Sequence, residues 1–115
     1  MSDLSEQDIQ RQILDALPLW LPGAFIRKLP VSGMRVGGGR VAKSPLAGMP
    51  DILAIWKGRY LGLEVKRPGE KPSLLQEIVG RDIQAADGYV DVVWDLDTAE
   101  ATVSLFKLRI EGRAK

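Results

Sequence analysis

Asp51, Glu64 and Lys66 are the residues of this chain best suited to chemistry. Asp51 closes the segment Gly48-Met49-Pro50-Asp51 and opens an apolar run. Thirteen positions on, Glu64-Val65-Lys66 closes a second such run. Two carboxylates beside an ammonium can hold a hard divalent ion against a phosphate. Such an ion polarises the phosphoryl oxygen, lowers the pKa of a bound water and stabilises the leaving alkoxide. The spacing therefore points to phosphodiester hydrolysis, with Lys66 orienting the water and stabilising charge on the phosphorane.

The composition narrows the chemistry. Neither His nor Cys occurs, which excludes a Ser-His-Asp triad, a histidine general base, disulfides, thiolate chemistry and the usual zinc ligand sets. Any metal must be held by oxygen, which favours Mg²⁺, Mn²⁺ or Ca²⁺. At 115 residues and 45% hydrophobic, the chain is expected to form one domain over 1–115 with a single core. The N-terminus lacks the basic and apolar regions of a signal peptide. No apolar run approaches the roughly 20 residues that a spanning helix needs. The expectation is a soluble, cytoplasmic protein.

Net charge is +1, but it is unevenly spread. Between Asp15 and Asp51 there is no acid, while Arg27, Lys28, Arg35, Arg40 and Lys43 are basic. From Asp82 to Glu100 there are acids and no base. A basic stretch leading into an acidic motif suits a polyanion held beside a cation site. A solvated basic hairpin accounts for the charge equally well.

The elements that must position these groups follow from periodicity and punctuation. Ser5, with Asp8 three residues on, is a shortened capping box for a helix to Leu17, stopped by Pro18. Ile9, Ile13 and Leu17 share its apolar face, and Glu6 falls near the middle of that face. Residues 24–29 read as a strand. Met34-Arg35-Val36 and Arg40-Val41-Ala42 read as a hairpin about Gly37-Gly38-Gly39. Those glycines are a turn and not a phosphate loop, because no Lys-Ser/Thr pair and no helix follow. Residues 43–49 form a loop. Residues 51–56 and 60–66 are two strands joined at Lys57-Gly58. Ser73 caps a helix to about Ala86 that ends at Asp87-Gly88, and residues 89–94 form a strand. Asp97 with Glu100 opens a last helix to about Ile110, although residues 103–110 also tolerate a strand. The fold class is α/β of the mixed α+β kind, a central mixed sheet flanked by helices.

On residues 60–66, Leu61, Leu63 and Val65 point one way and Gly62, Glu64 and Lys66 the other. Asp51, Glu64 and Lys66 can therefore converge, with Gly62 leaving room for substrate. Gln76, sharing a helix face with Val79 and Ile83, is a second inward polar residue after Glu6. An ordinary hairpin with a surface Glu–Lys pair, worth about 0–1 kcal/mol, would also carry Glu-x-Lys. Pro-Asp on the preceding strand makes the combination far more selective.

These residues resemble the PD-(D/E)xK nuclease superfamily, and within it the VRR-NUC family of virus-type replication and repair nucleases. The resemblance spans nearly the whole chain. It is carried by residues 5–10 (Ser-Glu-Gln-Asp-Ile-Gln), Gly48-Met49-Pro50-Asp51-Ile52, residues 61–69 (Leu-Gly-Leu-Glu-Val-Lys-Arg-Pro-Gly) and Ser73-Leu74-Leu75-Gln76. It implies a restriction-endonuclease-like core and a catalytic set of Asp51, Glu64, Lys66, Gln76 and Glu6. The metal, Mg²⁺ with Mn²⁺ as substitute, would rest on Asp51, Glu64 and the Val65 carbonyl, with Glu6 as a further ligand or water-orienting group. The chain departs from the family at Met49, where a small residue often precedes Pro-Asp. It departs again at Asp95, Leu96 and Asp97, where a basic or hydroxyl residue often follows the strand.

What the resemblance implies about substrate is a structure-selective DNA endonuclease, a homodimer that resolves four-way (Holliday) junctions, whose two symmetric cuts suit a two-fold dimer. Arg27, Lys28, Arg35, Arg40 and Lys43 would contact DNA phosphates, which position without specifying sequence. Two other readings are a nicking or flap-cleaving nuclease without junction preference and a non-catalytic nucleic-acid-binding module.

Overall fold

In the computed structural model, which describes residues 4–31, 34–35, 37–42 and 44–113, the chain enters helix α1 (Glu6–Trp20) at a capped N-terminus. The Ser5 hydroxyl accepts from the Asp8 amide at 3.1 Å, and the Asp8 carboxylate accepts from the Ser5 amide at 3.2 Å. The helix does not stop before Pro18 as expected but carries it in its last turn. Pro18 is exposed there and removes the bond its own nitrogen would have donated. The Leu21 amide still closes on the Leu17 carbonyl at 2.8 Å.

β1 (Phe25–Lys28) is followed by a small separate sheet of β2 (Met34–Arg35) and β3 (Val41–Ala42), antiparallel about a 3₁₀ turn at Gly37–Gly39. The glycine run is thus a turn. Val36, which ends the first strand of the expected hairpin, lies outside the described residues, as does Lys43 at the start of the following loop. β4 (Ile52–Trp56) and β5 (Arg59–Val65) are antiparallel through Lys57 and Gly58, whose φ angles of 51° and 75° suit a two-residue hairpin turn. Helix α2 (Leu74–Ala85) crosses to β6 (Tyr89–Val93), which lies parallel to β5. The main sheet runs β1-β4-β5-β6 with only its last pair parallel, the mixed sheet flanked by helices that the sequence implies.

Helix α3 (Leu96–Arg113) starts earlier than the Asp97–Glu100 pairing suggests and is helical where a strand was the alternative. Its cap is Asp95, whose carboxylate accepts from the Thr98 amide at 2.8 Å. The Thr98 hydroxyl in turn accepts from the amides of Trp94 and Asp95 at 2.9 and 3.1 Å. Those two donors are left over where β6 ends at Val93, and Thr98 is the residue one turn on that reaches both.

The core lies on one face of the sheet. Ile52, Ala54, Trp56, Leu61, Leu63, Val65 and Val93 meet Ile9, Ile13 and Leu17 of α1 and Ala99, Val103, Phe106 and Ile110 of α3. The other face is thinner. α2 has no fully buried residue, and its Leu74, Leu75 and Ile78 are exposed.

Two glycines make the close approaches on this face. Gly48, at φ 86°, sits where a Cβ would lie 2.7 Å from Leu75 Cγ and 2.9 Å from Val79 Cγ2. The turn that delivers Pro50 and Asp51 therefore packs directly onto α2. At Gly62 a Cβ would lie 2.8 Å from both Pro50 Cγ and Tyr60 Oη. The space expected there for substrate is taken by Tyr60 and Pro50, because Tyr60 shares this face two residues earlier and folds its ring over the glycine. Gly62→Ala should consequently destabilise the protein by about 1–3 kcal/mol through overpacking. That is a fall of several degrees in Tm by calorimetry; an unchanged Tm would mean that Tyr60 moves aside without cost.

Candidate active site

Buried polar side chains are more informative than buried apolar ones. Among the described residues they are Gln10, Ser44, Asp51, Glu64 and Thr102. Ser44 donates to the Pro30 carbonyl at 2.7 Å and Thr102 to the Asp91 carboxylate at 2.8 Å, so both serve the fold. The remaining three belong to elements that meet at one end of the sheet.

Asp51 and Glu64 are 8% and 4% exposed. The β4–β5 ladder pairs Ile52 with Leu63, so one step further Asp51 stands opposite Glu64 on the same face. An Asp51 carboxylate oxygen accepts the Val65 amide at 2.8 Å, which anchors it across the open end of the hairpin. In an extended strand the amide and carbonyl of one residue turn to the same side. The Val65 carbonyl therefore faces the Asp51 side, while the Lys66 amide faces away and donates to the Val93 carbonyl at 3.0 Å.

Burial, then the Asp51 charge, then a hydrogen bond to Asp51 push the Glu64 carboxyl up to about 9, with Lys66 opposing. Glu64 is therefore driven toward its protonated form at neutral pH in the absence of a cation, as expected of a buried carboxyl beside another carboxylate. An oxygen-binding divalent ion is the ligand that resolves such repulsion, and this donor set fits it. Among the described residues no group of three or more His, Cys, Asp or Glu side chains gathers closely enough to hold a metal. An ion here would complete its shell from the Val65 carbonyl, water and substrate oxygen.

Gln76 has a double task. As the third residue of α2 its side-chain oxygen accepts the Ser73 amide at 2.8 Å, and its backbone amide donates to the Ser73 hydroxyl at 3.2 Å. The oxygen being so used, the amide nitrogen is left to donate to Glu64 at 2.9 Å. Glutamate is an equally common residue at this capping position, but it would place a third carboxylate against Glu64. Glutamine gives the cap and orients the acid at once.

Glu6 and Lys66 join by electrostatic reach and not by hydrogen bonds. Glu6 is half-buried at the start of α1. Burial raises its pKa first, the Lys66 charge opposes this, and Glu70 and Asp51 add to it. Arg67 also lowers it, so this guanidinium, one residue past Lys66, belongs to the same neighbourhood. Sequence reasoning passed over it as part of a loop. It also passed over Gln10, which lies one turn after Glu6 on the inward face, 8% exposed, with a buried Oε1 that has no partner. The spacing of four from Glu6 was the available signal.

The basic residues expected to meet DNA are only partly placed. Arg27 and Lys28 are exposed on the edge strand β1, with Arg27 stacked 4.3 Å over the Phe25 ring, and Arg40 is exposed beside the small hairpin. The side chain of Arg35, and Lys43 altogether, lie outside what is described. No helix among the described residues is long and apolar enough to cross a membrane.

No family model matches the sequence, and no curated protein matches it. Among solved structures, the chain is similar to one described as a VRR_NUC domain. The match has 23% identity and a TM-score of 0.63, and covers 86% of this chain and 94% of that one. The likeness extends over most of both molecules, and the chain has the fold of a VRR_NUC domain.

Proposed function

We propose that this chain is a divalent-metal-dependent, structure-selective DNA endonuclease of the VRR-NUC family. The observation that carries the reading is the Asp51–Glu64 pair. Two buried carboxylates are held face to face, with the Lys66 charge opposing theirs, an arrangement that costs stability unless a cation joins them. A Mg²⁺ or Mn²⁺ ion held there supplies Lewis acidity at the phosphoryl oxygen and an acidified water.

The chain's own residues do the rest. Asp51 is fixed by the Val65 amide and Glu64 by Gln76, so neither has to reorganise when the ion and phosphate arrive. Lys66 presents its ammonium to the charge that grows on the transferred phosphoryl group and orients the attacking water. Glu6, which feels the Lys66 charge, helps to orient that ammonium and the water beside it. Arg27, Lys28 and Arg40 meet phosphates away from the cut, which gives affinity without sequence preference.

Preference for a four-way junction, and the two-fold dimer that would match its two cuts, rest on the resemblance. The experiment is a single panel. The protein is incubated with Mg²⁺ or Mn²⁺ and end-labelled four-way, flap and linear duplex DNA, and its mass is measured by light scattering with and without junction. Paired symmetric cuts in the junction by a dimer are expected. Cutting of the flap alone, or single nicks, would replace junction resolution by flap or nicking activity. No cutting of any DNA, with metal-independent binding, would leave a binding module.

A further inference from the structure

Beside the carboxylates, a groove of about 230 Å³ runs between α2 and β6. Its α2 wall is the stripe Gln76, Gly80 and Gln84, spaced by four and so stacked on one helix face. Its β6 wall is Val90 and Val92, and Pro50 and Pro72 close the end at Glu64 and Gln76. Gly80 is the reason it is open. A Cβ there would reach no closer than 3.7 Å to Val90 Cγ1, so any larger side chain at 80 would project into the groove.

Size and chemistry limit the occupant. The volume is below the roughly 300–1,000 Å³ of sites for drug-sized ligands, which suits one flat ring system. Glu64 and Glu77 against the single Arg81 disfavour an anion, so a phosphate does not fit. Apolar walls with a few convergent polar groups suit a neutral heterocycle. Two such groups stand at the rim. Arg81 forms no ion pair with any described residue, and the Gln84 amide makes only a long 3.4 Å donation to the Val90 carbonyl.

We propose that this groove receives an unpaired nucleobase from the nucleotide flanking the scissile phosphate. The inference deepens the nuclease reading and rests on it. Extruding a base costs least where it is already unpaired, so a pocket contiguous with Glu64 favours cuts beside branch points over cuts in continuous duplex. Arg81 and Gln84 offer donors and an acceptor to the base edge, and the valine and proline side chains cover its faces.

The test uses whichever DNA the protein cuts, with the nucleotide on each side of the cut replaced in turn by an abasic analogue. For the wild type, kcat/KM should fall about tenfold or more at one of the two positions, the scale of a lost base contact. Gly80→Leu, which fills the groove, should cut intact DNA slower by a similar factor and no longer distinguish intact from abasic. Gly80→Ala, which fits in the space available, should keep the wild-type discrimination. Should Gly80→Leu fail to fold, Arg81→Ala at the exposed rim carries the same comparison and is expected to blunt the discrimination. Equal cutting of intact and abasic DNA by the wild type, or undiminished discrimination by the filled variant, overturns the groove assignment while leaving the nuclease reading in place. A wild type that cuts no intact DNA removes the nuclease reading, and the groove assignment with it.

Discussion

Asp51→Asn and Lys66→Ala should each slow DNA cutting by at least about 10²–10³-fold, the loss that follows removal of one preorganised electrostatic group, and they should do so in different ways. Asparagine keeps an oxygen to accept the Val65 amide, now made at 2.8 Å, so the hairpin end stays closed and the protein folds. What it loses is a charged oxygen ligand. The rise in Tm that Mg²⁺ or Mn²⁺ gives the wild type by binding the folded state alone should therefore shrink or vanish in Asp51→Asn. Lys66→Ala leaves both carboxylates in place and removes a positive charge that opposes the ion. Its metal-induced rise in Tm should be kept or enlarged while cutting is lost. A single-turnover assay beside thermal melts with and without metal separates the two. Cutting at the wild-type rate by either variant would show that the site has been assigned to the wrong residues.

The pairing of these acids was legible in the sequence because a two-residue turn fixes register. With Lys57 and Gly58 as the turn, opposite residues sum to 115, as Ile52 and Leu63 do. Asp51 and Glu64 sum to the same number, so recognising the turn places the acids face to face. The inward faces of α1 and α2 were legible from their 3.6-residue period, which brought out Glu6 and Gln76. What escaped depended on neighbours distant in sequence, or on rotamers. Pro18 reads locally as a stop, but its missing donor falls in the last turn, where the Leu21 amide still closes on the Leu17 carbonyl. Asp95 and Asp97 are equal as caps by residue type, and the choice was made by the two amides that β6 leaves behind and by Thr98. Gly62 does leave a space, but which group fills it is decided by how Tyr60 turns. The second hydrogen bond of Gln76 exists only because the turn at Gly48 brings Asp51 and Glu64 under the first turn of α2.

Glu64→Gln should make the metal-free protein more heat-stable at pH 8 and deprive it of metal binding. With the Glu64 carboxyl held at about 9 against an ordinary 4.5, the folded protein keeps a proton that the unfolded chain has released. Its contribution to stability is fully present below the ordinary value and is lost as pH rises through the folded value. The metal-free wild type should therefore weaken across roughly pH 4.5 to 9, by at most about 1.4 kcal/mol per pH unit. Glutamine is uncharged throughout this range and has the same shape. Its oxygen can accept from Gln76 as Glu64 does at 2.9 Å, and its amide can donate to Asp51 in place of the Glu64 proton. The Tm of the variant should match the wild type near pH 4.5 and exceed it by several degrees at pH 8. A divalent ion at 100 times its Kd would add about 2.7 kcal/mol to the wild type and reverse that order, because the variant keeps only one charged ligand. Melts at pH 5 and pH 8, with and without Mg²⁺, give the four numbers required. A wild type whose metal-free stability is flat or rising over this interval would mean that Glu64 is ionised without an ion, and the case for a cation between the two acids would lose its physical basis.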